Sequence, residues 1–141
     1  MDQCDLEAAY KYVKQALDMD PKHVEALETM ASVQMEMGNT ESARNIYDKL
    51  VELSPNEGFS KYMCLAQLSS GIEAVNFYKK GIEIMLIQYN REQADIQNRP
   101  STSKTANNYD EEDDEENQTV TRSDISIAYG SVAEIYLTDL W

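Results

Sequence analysis

Residues 24–55 read VEALETMASVQMEMGNTESARNIYDKLVELSP, and this stretch decides the fold. Its last residue, Pro55, follows Pro21 by thirty-four residues. Three residues before Pro21 have counterparts thirty-four residues later, before Pro55. Ala9 corresponds to Ala43, Val13 to Tyr47 and Ala16 to Leu50. A fixed period of this length is typical of a solenoid in which each repeat is a pair of antiparallel helices and proline ends the second helix.

The order of residues within the stretch resembles the tetratricopeptide repeat. Its first half places Leu27, Met30, Ala31 and Gln34 at the W-x2-L-G-x2-Y positions of that repeat, before a turn at residues 38–39. The resemblance implies an all-α fold, a tetratricopeptide-repeat superhelical solenoid of antiparallel helix pairs. It also implies that the small residue Ala43 faces a neighbouring helix at close range.

Helical periodicity over residues 1–97 predicts half a repeat, one full repeat and one shortened repeat. The predicted helices cover residues 5–19, 22–37, 40–53, 57–68 and about 72–97, and Thr40 is the predicted cap of the third. Ala74 follows Ala43 by only thirty-one residues, so the third repeat is about one helical turn short. We place the loss at residues 69–71.

Residues 98–122 differ in composition, being rich in Ser, Thr, Asn and acidic residues and nearly free of large aliphatic residues. Such a segment buries too little apolar surface to offset the entropy of ordering it, so we expect an acidic disordered insertion. Residues 123–141 then resume a helical pattern with Tyr129 and Ala133 in repeat register and Ser123 or Asp124 as cap. They predict the first helix of a further, truncated repeat in which Ala133 faces a neighbour, and we suspect a fragment of a longer protein.

The chain carries a formal net charge of −14, from 26 acidic and 12 basic residues. Half of it comes from one acidic run, formed by Asp110, Glu111, Glu112, Asp113, Asp114, Glu115 and Glu116. Phosphate repulsion argues against nucleic acid and anionic membranes as direct partners. The charge favours a basic protein or peptide, and the alternative for the run is a solubilising tract without a partner.

Catalytic and metal-binding motifs are missing from the sequence. Cys4 and Cys64 lie sixty residues apart, and with the single His23 they have no metal-ligand or catalytic spacing. There is no phosphate-binding glycine loop and no nucleophile elbow. We therefore expect a protein that is not an enzyme and needs no cofactor. No secretory signal or membrane-spanning run is visible, so we expect a cytoplasmic and nuclear location.

A ligand of a helix-pair array is expected in the groove lined by the first helices. With Val24 as position one, the exposed groove positions of the full repeat are Glu25, Glu28, Ser32, Met35 and Glu36. The equivalents in the last half repeat are Ile127, Gly130, Glu134, Leu137 and Thr138. These residues predict an acidic client-binding groove with apolar contacts, and the alternative is an ordinary solvated helix face.

Two further stretches are more specific: KYMCLAQLSSGIEAVNFYKKGIEIM at residues 61–85 and SVAEIYLTDLW at residues 131–141. This arrangement, with the acidic insertion between them, resembles the tetratricopeptide assembly chaperones of ribosomal large-subunit protein four. The resemblance implies that the superhelix captures a basic segment of the newly made ribosomal protein, keeps it soluble and escorts it toward large-subunit assembly. The alternative is a general tetratricopeptide scaffold or adaptor module that binds another protein or peptide.

Overall fold

The computed structural model describes residues 3–98 and 119–140, and every regular element in these ranges is a helix. The six helices are α1 (Gln3–Met19), α2 (Val24–Glu36), α3 (Thr40–Leu53), α4 (Ser60–Leu68), α5 (Gly71–Asn98) and α6 (Arg122–Thr138). Each helix packs against the next one in the chain. This is the predicted all-α solenoid of antiparallel helix pairs.

The turn between α2 and α3 differs from prediction in its cap. Thr40 is the first residue of α3, and the N-cap is Asn39, whose side chain makes no capping hydrogen bond. The Asn39 amide instead donates to Gln34 Oε1 at 2.9 Å. Gly38 has a φ of +78°, a backbone conformation that favours glycine. The turn is therefore closed by Gly38 together with the hydrogen bond between Asn39 and Gln34.

The third repeat is shortened where the sequence places the loss. Leu65 and Ala74 are buried at the α4–α5 turn and lie nine residues apart, whereas the corresponding Ala31 and Ala43 lie twelve apart. The start of α4 was predicted too early, because the helix begins at Ser60 and the residues after Pro55 form a turn.

The apolar interior consists of two clusters. The first joins α2, α3 and α4 through Leu27, Ala31, Ala43, Tyr47, Leu50 and Leu65. The second joins α5 to α6 through Ile82, Met85, Val120, Ile125 and Ala128. A solenoid buries its apolar surface between neighbouring helices in this way, and its outer faces remain free to bind a partner.

The predicted insertion, residues 98–122, extends too far toward the C-terminus, because the residues just before α6 are ordered against the fold. Val120 is buried in the second cluster, and Thr121 is the N-cap of α6. Thr121 and Asp124 form a reciprocal capping box, so the cap is neither of the two residues predicted. The acidic run and the rest of residues 99–118 lie outside the described residues, and their predicted disorder stays a prediction.

The two alanines predicted to face a neighbouring helix differ in burial. Ala43 is fully buried in the first cluster, which confirms the prediction. Ala133 is exposed, so that prediction is wrong for the described chain. The reason is that α6 packs on α5 through the face that carries Ile125 and Ala128, and Ala133 lies outside this face.

Within the described ranges, no helix combines the length and the apolar character needed to cross a bilayer.

Candidate functional site: an acidic cavity and an apolar cleft

The five groove residues predicted on α2 share one helical face, since Glu25, Glu28, Ser32 and Glu36 follow one another at intervals of three or four residues and Met35 follows Glu28 by seven. Glu25, Ser32 and Glu36 are exposed, and Glu28 and Met35 are half-buried. Met35 packs against the first cluster, so it belongs partly to the core. The Ser32 hydroxyl donates to the Glu28 carbonyl at 3.1 Å.

Glu25 and Glu28 line a cavity of about 360 Å³ between α2 and the turn before α4. The turn contributes Ser54, Glu57 and Gly58, and Val24 completes the lining. We call this space the acidic cavity. It brings three carboxylate side chains, those of Glu25, Glu28 and Glu57, around one opening.

The turn is held in place by side chains of α4. The Tyr62 hydroxyl donates to the Pro55 carbonyl at 2.6 Å. The Lys61 ammonium donates to Ser54 Oγ at 3.3 Å and to the Glu57 carbonyl. Gly58 has a φ of +71° there, so the backbone that closes the cavity favours glycine.

Lys61 is 2 % exposed, and among the described residues it is the one charged side chain that is buried. Burial lowers its pKa from the ordinary value of 10.5, although the nearby carboxylates of Glu28 and Glu57 act in the opposite direction. Three carboxylates against one ammonium leave the acidic cavity with an excess of negative charge.

His23 precedes α2 and lies beside Glu25. Its Nδ1 accepts the backbone N–H of Ala26 at 3.3 Å and so caps α2, which requires an unprotonated Nδ1. Glu25 Oε2 lies 3.3 Å from the same nitrogen. Since Nδ1 cannot accept from Ala26 and donate to Glu25 at once, the Glu25 carboxylate remains available to a partner.

Glu36 is the last residue of α2, and the last turn of this helix contains no basic residue. A carboxylate at the C-terminal end of a helix is opposed by the helix dipole. Glu36 therefore does not stabilise α2 through the helix dipole.

The groove positions predicted on α6 lie apart from those on α2. Helix α6 packs on α5, whereas α2 packs on α1 and α3, so the fold does not join Glu134 to the acidic cavity. Glu134 and Thr138 are exposed on α6, and the Thr138 hydroxyl donates to the Glu134 carbonyl at 2.9 Å. Ile127 and Leu137 are also exposed, at 66 % and 70 %.

A second space of about 380 Å³ opens between α4 and α6, and we call it the apolar cleft. Buried side chains of α5 lie at its base, and α4 and α6 form its walls. Its lining consists of Phe59, Met63, Gln67, Tyr78, Met85, Thr119, Asp124, Ile127, Ala128 and Ser131. Of the predicted groove residues, only Ile127 lines it.

Sequence reasoning missed Glu57, Lys61 and the α4 side of the cleft. Lys61 follows Leu27 by thirty-four residues, so the repeat register itself places a lysine at a buried position. Glu57 carried no comparable signal, because its place depends on how the turn closes. Helical spacing predicts that Phe59 and Met63 share one face, but it does not show that this face lines a cleft.

Among the described residues, no group of three or more His, Cys, Asp or Glu side chains has the geometry to hold a metal ion.

Comparison with known proteins agrees with this architecture. Residues 1–61 match the family model of the tetratricopeptide repeat. The helix pairs of the described residues have the tetratricopeptide-repeat fold.

Two individual proteins resemble it over nearly its whole length. A protein of Schizosaccharomyces pombe, named as the probable assembly chaperone of rpl4, is 29% identical over 135 residues, which are 90% of this chain and 33% of that protein. The solved structure of residues 1–338 of the assembly chaperone of RpL4 (Acl4) superimposes with a TM-score of 0.78 at 23% identity, covering 99% of this chain and 52% of that one. The chain thus spans about a third of the curated relative and half of the solved structure.

Proposed function

We propose that this chain binds a basic ribosomal protein of the large subunit as an assembly chaperone and takes no part in catalysis. The observation that carries the proposal is the acidic cavity, where Glu25, Glu28 and Glu57 surround one opening above the buried Lys61. A cavity with this charge suits a lysine or arginine side chain of a client. The names of the two similar proteins support a client of the L4 type.

The exposed carboxylates of Glu36 and Glu134 extend the same charge beyond the cavity, on α2 and on α6. A basic protein that has not yet met its RNA is attracted to such a surface. Binding there covers the positive segment and keeps the client soluble. The same role places the chain in the cytoplasm and the nucleus, where ribosomal proteins are made and assembled.

Coexpression with the L4 protein of the same organism tests this function. The chain is expected to keep L4 in the soluble fraction and to copurify with it in a defined ratio. A second basic ribosomal protein of similar net charge is the control, and it should remain insoluble. Equal rescue of both proteins would contradict a dedicated chaperone and favour general charge screening.

A further inference from the structure

The apolar cleft and the acidic cavity adjoin each other along the chain. Gly58 lines the acidic cavity, and the next residue, Phe59, lines the apolar cleft. The two spaces therefore meet at the start of α4, where these consecutive residues lie. The two spaces differ in chemistry, because the first has carboxylates at its mouth and the second has thioether and aromatic side chains.

The apolar cleft has the features of a pocket for a large apolar side chain. Its volume falls within the range of about 300–1,000 Å³ that is usual for ligand pockets. Met63 and Met85 contribute flexible thioethers, which adapt to different side-chain shapes. At its edge, Ile127 exposes two thirds of its surface and would lose this exposure to a bound side chain.

The charges around the cleft suit a basic segment. None of the residues that line the cleft in the described chain is basic, and Asp124 supplies a carboxylate, which also accepts hydrogen bonds from Thr121. Glu134 follows Ser131, a lining residue, by one helical turn on α6.

We propose that the cleft between α4 and α6 binds a leucine, methionine or phenylalanine of the client while a neighbouring lysine or arginine enters the acidic cavity. This inference rests on the proposed function and specifies the ligand as a mixed apolar and basic segment. Charge alone attracts any basic chain, so the apolar side chain supplies the selection among basic segments. The cleft then determines which basic segment is held.

Two synthetic peptides test the pairing. Both are fifteen-residue chains of Lys, Arg and Gly with the same charge, and the central residue is Leu in one and Ala in the other. Fluorescence anisotropy with the full 141-residue chain should show that the Leu peptide binds roughly tenfold more tightly or better, as burial of one such side chain predicts. The preference should remain in high salt while both affinities fall.

A variant that fills the cleft provides the second arm. Gln67 is an exposed cleft residue of α4, and Gln67→Trp should remove the preference for the Leu peptide over the Ala peptide. Gln93→Trp is the matched control, because Gln93 is exposed on α5 and lines neither space. It should keep the preference of the unmodified chain.

The remaining outcomes overturn the proposal in distinguishable ways. Equal, salt-sensitive binding of both peptides would remove the cleft and leave the proposed function intact. No binding of either peptide at low salt would overturn the proposed function as well. A preference that appears only after deletion of residues 101–116 would show that the chain fills its own cleft. A preference for the Leu peptide that disappears as the protein concentration rises would show that a second copy of the chain fills the cleft.

Discussion

Leu27 and Lys61 occupy the same position of two successive repeats, and both side chains are buried. Leu27 packs into the first apolar cluster, as the position normally requires. Lys61 is equally buried, and its ammonium reaches the turn before α4, where it donates to Ser54 and Glu57. The lysine thus joins the packing of the repeat to the shape of the acidic cavity.

Replacement of Lys61 by Met is expected to stabilise the protein at about pH 7. Burial lowers the pKa of Lys61 in the fold, so the unfolded chain binds the proton more tightly and the charged amine destabilises the folded state. Methionine has a similar volume and no charge to bury, so we expect Lys61→Met to be more stable than the unmodified chain at this pH.

The gain should depend on pH. The destabilisation is fully present below the pKa of the folded state and is relieved as pH rises from that value to 10.5, so the advantage of Lys61→Met should shrink over this window. Burial also raises the pKa of Tyr47 and Tyr62, but this affects both proteins equally and cancels in the difference. Urea unfolding of the unmodified chain and of Lys61→Met at several pH values measures the difference between their free energies of unfolding. If Lys61→Met is less stable by an amount that does not change with pH, the hydrogen bonds from Lys61 to Ser54 and Glu57 stabilise the fold by more than the burial of the charge destabilises it.

Two helical glycines should respond in opposite directions to replacement by alanine. At Gly81 an added Cβ would meet Tyr62 Cβ at 3.3 Å and collide with the Met63 methyl group, so overpacking of roughly 1 to 3 kcal/mol should exceed the gain in helix propensity. At Gly130 nothing lies within 4 Å, so only the propensity gain of up to about 1 kcal/mol remains. Denaturant unfolding of Gly81→Ala and Gly130→Ala compares them. Equal changes would contradict the close approach of α4 and α5.

Ala43→Leu should destabilise the chain by roughly 1 to 3 kcal/mol, because Ala43 is fully buried between helices of the first cluster. Glu41→Leu is the control on the same helix, since Glu41 is exposed, and its effect should stay within about 0.5 kcal/mol. Thermal unfolding of the two variants provides the measurement. A melting temperature of Ala43→Leu equal to that of the unmodified chain would contradict the packing at this position.

Repeat period and apolar spacing predicted the helices well where local pattern and packing agree. Helix α3 has the bounds expected, because Ala43, Tyr47 and Leu50 face the core at helical intervals. The short third repeat was also predictable, since a change of spacing between alanines is visible in the sequence. Helix periodicity is fixed by the backbone, so these features need no knowledge of distant contacts.

Features that depend on contacts distant in sequence were missed. Val120 is a single valine at the end of a polar stretch, and its burial depends on the side chains of α5 and α6. The cap of α6 at Thr121 was missed for a different reason, since it is a local capping box with Asp124. The acidic cavity was only half predicted: helical spacing on α2 gave Glu25 and Glu28, while Glu57 enters through the turn held by Lys61 and Tyr62. Such turns are determined by tertiary packing rather than by local sequence.

The measurement that most directly tests the acidic groove is the affinity of the chain for the basic segment of L4 before and after charge reversal. The test variant carries Glu25→Lys, Glu28→Lys and Glu36→Lys. The control variant carries the same change of charge at exposed residues of α1 and α3, through Glu7→Lys, Glu41→Lys and Glu52→Lys. Titration calorimetry at about 0.1 M and about 0.5 M salt compares the two with the unmodified chain.

We predict that the test variant binds well over tenfold more weakly, because like charges across an interface cost several kcal/mol. The control variant should retain most of the affinity, and higher salt should weaken binding of the unmodified chain. Equal losses in the test and control variants would show that net charge alone attracts the client. Binding that is unchanged by charge reversal and by salt would contradict the acidic groove as the client site.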